Sequence, residues 1–425
     1  MKVLIKQTQI ISSYSPLNGQ IKDILITDGV ITKISDTIND QADEVIQQKD
    51  LCVSIGWMDI FADFADPGYE FKETIETGAK AAAAGGFTDI LLVPNTNPVA
   101  HNKSQVEYII QKAKQTAVTI HPIGAVTKYT EGVTLSEMYD MHQSGALAFS
   151  DGINCIQNSG LLLKALQYVK SINGIIIQIP DDKNISANGL MNEGIISTQL
   201  GLPGKASIAE ELTVARDITL TAYTDSRLHF TGVSSAKSIE YINKGKNDEI
   251  SITCSVTPYH LYFCDEDLQE YDTNLKVNPP VRTHLNMLAL RKALINGQID
   301  CIASHHLPQH WDDKTCEFEY AKYGMIGLES LFGAVWSIIN KEWNIEKYID
   351  LLSISPRKIF GLTIPEIQEG SNACLTLFNP KEEYVFTESM IKSKSRNSPF
   401  IGKNLKGKVV GIINKNQIHL NSQAC

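Results

Sequence analysis

Through the first 50 residues apolar and polar positions alternate, the two-residue period of strands that bury one face. The run ILITDGVITKI, centred on Asp28-Gly29, predicts a two-residue hairpin, because Asp-Gly tolerates the positive φ angles of a type I′ turn. From residue 51 the pattern changes to short apolar runs separated by helical stretches, as expected of buried parallel strands joined by crossover helices. The predicted strands are LCVSIGWMDI (51–60), TDILLVPN (88–95), VTIHPIGAV (118–126), ALAFSDG (146–152), GIIIQIP (174–180), RLHFTGVS (227–234), EISITCSVTP (249–258) and DCIASHH (300–306). Eight such runs match the count of a (β/α)8 barrel. KETIETGAKAAAAGG (72–86) and SIAEELTVARDITLTAYT (207–224) have helical composition and period, and further helices follow from about 328 to 361. From about residue 373, CLTLFNP, EEYVF and GKVVGIIN read again as strands. They are expected to join the first 50 residues in one β-sandwich. The predicted architecture is α/β: residues 51–364 as a TIM barrel, residues 1–50 plus 365–425 as a small β-sandwich built from both termini.

Composition narrows the class of partner. With 38 Lys and Arg against 48 Asp and Glu, the 425-residue chain carries a formal charge of −10, which disfavours a polyanion binder and argues against nucleic acid as a partner. The eight cysteines are scattered without a C-x-x-C pair, so neither a zinc ribbon nor a disulfide scaffold is expected. Lys6 and Gln7 interrupt the N-terminal apolar run, and no stretch reaches the ~18 apolar residues of a membrane span. These features predict a cytoplasmic protein with reduced thiols and no membrane association.

In a barrel of this kind, chemistry is built where the strands end. Those ends carry Phe61-Ala62-Asp63, Pro94-Asn95, Asp151, Ile179-Pro180, Thr231-Gly232, Tyr259-His260 and His305-His306. A catalytic zinc takes about three ligands from His, Cys, Asp or Glu and keeps one position open. Asp63, Asp151 and one histidine are the most generous such set. His305 and His306 are neighbours on a strand, so side-chain alternation turns only one of them into the mouth. Each has a bland alternative: an Asp at a strand end is more often a loop or helix cap, and the histidine pair is more often structural. His260 stands between packing and pocket. No phosphate-cradling glycine loop, dinucleotide fingerprint or serine elbow is present.

DPGYEFKETIETGAKAAAAGGFTDILLVPNTNP (66–98), FSDG with QNSGLLLKAL (149–166), LMNEGIISTQLGLPGKASIAEELTVARDI (190–218), TPYHLYFCDEDL with KVNPPVR (257–282), IDCIASHHLP, YGMIGLES and NSPFIGKNLKGKV follow one another along the chain. In this order they resemble the dihydroorotases of the cyclic amidohydrolase superfamily, over nearly the whole length. The resemblance implies an amidohydrolase-type barrel in pyrimidine biosynthesis, in which metal-bound hydroxide opens dihydroorotate or the reverse reaction closes N-carbamoyl-L-aspartate. It also implies where the metal site should be. The His-x-His of the first strand falls on Phe61 and Asp63, and the following carboxylate-gripping Arg on Ala65. The histidines of strands five and six fall on Ile179 and Gly232, and the acid/base Asp of strand eight on His305. Only Asp151 is kept in kind. Asn95, Asn278, Tyr323 and Gly324 match family positions that hold substrate, so the resemblance implies a vestigial pocket there for dihydroorotate or carbamoyl aspartate, with packing as the alternative reason for their retention.

Isoleucine and glycine cannot ligate a metal, so the resemblance implies a pseudoenzyme with no catalytic residues, no metal and no cofactor. Because members of this kind associate with aspartate carbamoyltransferase, it implies a non-catalytic partner of that transferase, itself a homodimer. The alternative is a hydrolase with one zinc held by Asp63, Asp151 and His305, or a metal-free site with Asp151 and His305 as catalytic groups and His305 as general base.

Overall fold

The computed structural model describes residues 1–421. The eight predicted barrel strands are present and hydrogen-bond in chain order: Trp57–Ala62, Phe87–Leu92, Thr119–Gly124, Ala148–Phe149, Ile176–Gln178, Leu228–Phe230, Ile252–Val256 and Cys301–Ile302. All adjacent pairs are parallel. The seam between last and first strands is closed by Asp59, whose two carboxylate oxygens accept the N–H and hydroxyl of Ser304 at 2.6 and 2.7 Å. A parallel bridge from Ala62 to His306 continues it. Burial of Asp59 among the strands pushes its carboxyl up from the ordinary range, a cost offset by these two bonds.

The helices sit where composition placed them. Ile75–Ala84 starts at Thr74, whose Oγ1 accepts the Thr77 N–H while its own N–H donates to Thr77 Oγ1, and its alanines are buried. Ile208–Thr224 ends where Asp225 turns left-handed at φ 51°. Leu331–Ile339 and Ile345–Phe360 complete the predicted C-terminal helical region.

The terminal domain is one continuous sheet. Its strands run in the order Gln417–Leu420, Asn404–Asn414, Cys374–Val385, Cys52–Ile55, Lys2–Ile10, Ile21–Thr27 and Val30–Ser35, with Glu44–Gln47 added parallel to Lys2–Ile10. The Asp28-Gly29 turn has both residues at positive φ, 49° and 80°, as predicted. One boundary differs. The run at 51–60 is two strands, the first in the terminal sheet against Leu375–Phe378 and the second opening the barrel. The break falls at Gly56, where a Cβ would stand 2.2 Å from Thr88 Oγ1; both halves are wholly buried, so apolar pattern alone reads them as one. A second difference is the segment Ser393–Ser398, which leaves the terminal domain and lies on the barrel. Glu73 accepts from Ser393 Oγ and the Lys394 N–H. Asn397 bonds Gln309 N, Leu307 O and Gly324 O.

Among the described residues all cysteines are unpaired, and no helix is long and apolar enough to cross a membrane.

Candidate functional site

At the C-terminal ends of the strands lies a cavity of about 830 Å³, lined among others by Phe61, Asp63, Ala65, Lys72, Asn95, Ile179, Lys276, Asn278, His305, His306, Gln309, Tyr323 and Gly324. A concave site at this end of a parallel barrel is where ligand chemistry is expected.

His305 and His306 both line it, which corrects the expectation that one would turn away. The eighth strand ends at Ile302, and His305 adopts φ 45°, so strand alternation no longer governs the pair. His305 packs on Phe61 at 4.6 Å between ring centroids with the planes tilted by 30°, and its Nε2 meets Thr231 Oγ1 at 2.8 Å. Burial, with His260 and His229 nearby, pushes its pKa down to about 3, so the ring is neutral. The ring fills the space above Gly232, where a Cβ would come within 2.6 Å of Cε1. His306 accepts the Gly327 N–H at Nδ1 and points Nε2 toward Glu73, 3.6 Å away.

Asp63, Asp151 and His305 are not assembled into a metal site. Asp151 does not line the cavity; its Oδ1 accepts the Thr127 N–H at 2.8 Å and its Oδ2 the Thr127 hydroxyl at 2.5 Å, tying two strand-end loops together. Burial pushes it up to about 6 despite those bonds. Asp63 uses Oδ1 to cap the Ala65 N–H at 2.7 Å, and burial pushes it likewise to about 6. Among the described residues no group of three or more His, Cys, Asp or Glu is placed to hold an ion. The residues present do not fit the zinc centre that the alternative requires: Asp151 lies off the cavity on Thr127, and Asp63 Oδ1 and His305 Nε2 are engaged by Ala65 and Thr231.

The positions expected to hold substrate are gathered at the cavity, each with hydrogen-bond partners within the chain. Asn95 spends its amide on the following loops, donating to Asp151 O at 3.1 Å and accepting Ile153 N–H at 3.0 Å. Asn278 Oδ1 accepts Lys205 Nζ at 2.5 Å. The Gly324 N–H is taken by Lys276 O at 2.9 Å and the Tyr323 carbonyl by Gln309 Nε2 at 2.7 Å. His260 proves to be packing: buried, it is held by Thr257 Oγ1 at 2.9 Å and Pro279 O at 3.0 Å, off the cavity.

Sequence reading overlooked Lys72, Gln309 and His229. Lys72 reaches Gln309 Oε1 at 2.9 Å, and burial, then Lys322, lowers its pKa. His229 lies beneath the cavity on the sixth strand, two residues before Thr231 and therefore on its face; the two-residue spacing was the signal that could have found it.

A parallel barrel joined to a β domain built from both termini, with its cavity at the strand ends, is the architecture of the cyclic amidohydrolases. L-Hydantoinase (dihydropyrimidinase) from Arthrobacter aurescens superposes with a TM-score of 0.84 at 22% identity, over 98% of this chain and 95% of that one. Dihydropyrimidinase from Brevibacillus agri gives 0.82 at 19% identity, over 99% and 95%. Sequence is more specific. Residues 52–238 match the dihydro-orotase-like family model. The dihydroorotase of Syntrophus aciditrophicus is 37% identical over 414 residues, covering 96% of this chain and 97% of the relative. That of Pelotomaculum thermopropionicum is 38% identical over 411 residues, covering 96% of each. The chain belongs to the dihydroorotase family.

Proposed function

We propose that this protein serves pyrimidine biosynthesis as a dihydroorotase-family member without metal-dependent hydrolysis, acting as a non-catalytic partner of aspartate carbamoyltransferase. One observation carries the reading: His305, packed on Phe61 above Gly232, is a lone imidazole whose Nε2 is engaged by Thr231, with a phenyl ring and a glycine as neighbours that offer no metal-ligating side chain. Hydrolysis of a cyclic amide needs an activated water and a base within reach of it. Asp151 is committed to Thr127, and His305 Nε2 to Thr231. A barrel so intact, around a site so altered, is retained for what it binds rather than for what it converts.

The test is dihydroorotate ring-opening by the purified chain, chelator-treated and zinc-supplemented, with an active family member alongside. Absence of turnover in both conditions is the expected result; turnover in either overturns the non-catalytic reading. Co-elution with aspartate carbamoyltransferase at micromolar concentration tests the partner, and two independent peaks count against it.

A metal-free hydrolase is the second reading, favoured by one observation: Asp63, held near pKa 6, faces the same cavity as His305. It requires that His305→Ala abolish turnover.

A further inference from the structure

His229 pairs in parallel register with Thr253 on the neighbouring strand; Thr231 and Ser255, two residues on, share the same inward face. Their side chains form an unbroken line through the barrel. Thr253 Oγ1 meets His229 Nδ1 at 2.8 Å, and His229 Nε2 meets Ser255 Oγ at 3.0 Å. Ser255 Oγ donates to Thr231 Oγ1 at 2.9 Å, and Thr231 Oγ1 meets His305 Nε2 at 2.8 Å. His229, Ser255 and Thr231 are wholly buried.

Counting protons gives the line a direction. The one hydroxyl proton of Ser255 goes to Thr231, so Ser255 accepts from His229 Nε2–H, and His229 Nδ1 accepts from Thr253. Among the described residues the Thr231 hydroxyl has no acceptor other than His305 Nε2, so its proton goes there. A neutral imidazole that accepts at Nε2 carries its proton on Nδ1. No group among the described residues accepts from His305 Nδ1, and His305 lines the cavity.

Two further donors stand there beside the carboxylates of Asp63 and Glu319. With Asn278 Oδ1 engaged by Lys205, its amide N–H groups remain available, and Lys72 adds a cation. A donor that opens on the cavity with no acceptor from the chain is placed to take a ligand oxygen.

We infer that the Thr253–His229–Ser255–Thr231 line fixes His305 as the Nδ1–H tautomer, and that this N–H is the cavity's directed donor to a carbonyl or carboxylate oxygen of a bound small molecule. The site thus holds an oxygen acceptor by a neutral hydrogen bond. The ligand half of this inference rests on the non-catalytic reading above; the tautomer half does not.

The experiment uses the full chain labelled with 15N-histidine, with His305→Gln to assign the signal. Two-bond 1H–15N correlation is expected to show His305 protonated at Nδ1 and bare at Nε2, and Thr231→Val to abolish that preference while the protein stays folded by circular dichroism. An Nε2–H ring in the wild type, or no change in Thr231→Val, overturns the tautomer assignment. N-carbamoyl-L-aspartate is then titrated in chelator. Binding that moves the His305 Nδ1 resonance and weakens about tenfold in Thr231→Val, the loss of roughly one hydrogen bond, supports the ligand assignment. No binding, or binding indifferent to Thr231→Val, overturns it. Conversion of the probe, read by chromatography, overturns the non-catalytic reading, while the apo spectrum still decides the tautomer.

Discussion

A Cβ on Gly232 would stand 2.6 Å from Cε1 of His305, so a side chain at 232 and an imidazole at 305 exclude one another in this arrangement. Gly232 also has φ 69°, a conformation that L side chains rarely adopt. Gly232→Ala is therefore expected to destabilise the fold by about 1–3 kcal/mol through overpacking, with a further ~1 kcal/mol from backbone strain. In a His305→Ala background the overpacking disappears and only the strain is left. A double-mutant cycle by urea unfolding should give a coupling of about 1 kcal/mol or more between the two positions. Strict additivity would mean that the ring does not occupy that space.

Asp151 acts on the loops, not on substrate. Asp151→Ala leaves the buried N–H and hydroxyl of Thr127 without acceptors, at a cost of about 2–4 kcal/mol. Asp151→Asn keeps one acceptor oxygen and should cost less. Because Thr127 is the partner, Thr127→Val is expected to remove most of the difference between wild type and Asp151→Asn. The check is the urea midpoint of six proteins, wild type, the three single variants and the two doubles carrying Thr127→Val; equal effects of the Asp151 substitutions with and without Thr127 would refute the pairing.

Much of this was legible in the chain, for identifiable reasons. The barrel strands announced themselves because each is buried on both faces and bounded by helical composition, and the Asp28-Gly29 hairpin because its dihedrals admit few residues. Gly56 was not legible as a domain boundary, since Cys52–Ile55 and Trp57–Ala62 are equally buried and only the approach of Thr88 and Cys374, distant in the chain, explains the glycine. At the site, that Ile179 and Gly232 offer no metal-ligating side chain follows from residue identity alone. What fills the space does not. His305 enters the cavity because its own φ turns positive, and Asp151 leaves it because Thr127 offers two donors. Neither follows from position along a strand.

Zinc should leave the protein's thermal midpoint unchanged. A specific site saturated at about 100 times its Kd would add about 2.7 kcal/mol to stability, readily visible as a shift. Here the three residues proposed for a single zinc are each engaged by the chain itself, at Ala65, Thr127 and Thr231. The measurement is a differential scan of chelator-treated protein with and without a stoichiometric excess of zinc. A saturable rise in midpoint, lost in Asp63→Asn, would establish the metal site that these bonds argue against.

The pH dependence of stability sets two kinds of buried group against each other. Burial holds His229, His260 and His305 at about 3, far below the 6.5 of a free imidazole. Their contribution is fully present above pH 6.5 and is lost as pH falls toward 3, because there the unfolded chain binds protons the folded chain refuses. Asp63 and Asp151, raised to about 6, work with the opposite sign: their contribution is present below 3.8 and is lost as pH rises through 6. Between pH 7 and pH 5 the histidines therefore lower the unfolding free energy, and the raised carboxyls, Asp59 among them, oppose that loss. Two substitutions separate the terms. His305→Gln removes one refused proton and should shrink the loss from pH 7 to pH 5 by about 2 kcal/mol, at about 1.4 kcal/mol per pH unit below 6.5. Asp63→Asn removes an opposing group and should enlarge the loss, by less, since that carboxyl is partly open to the cavity. Urea unfolding at the two pH values for the three proteins reads both signs, and a change in the same direction for both variants would show that the buried histidines are not held neutral.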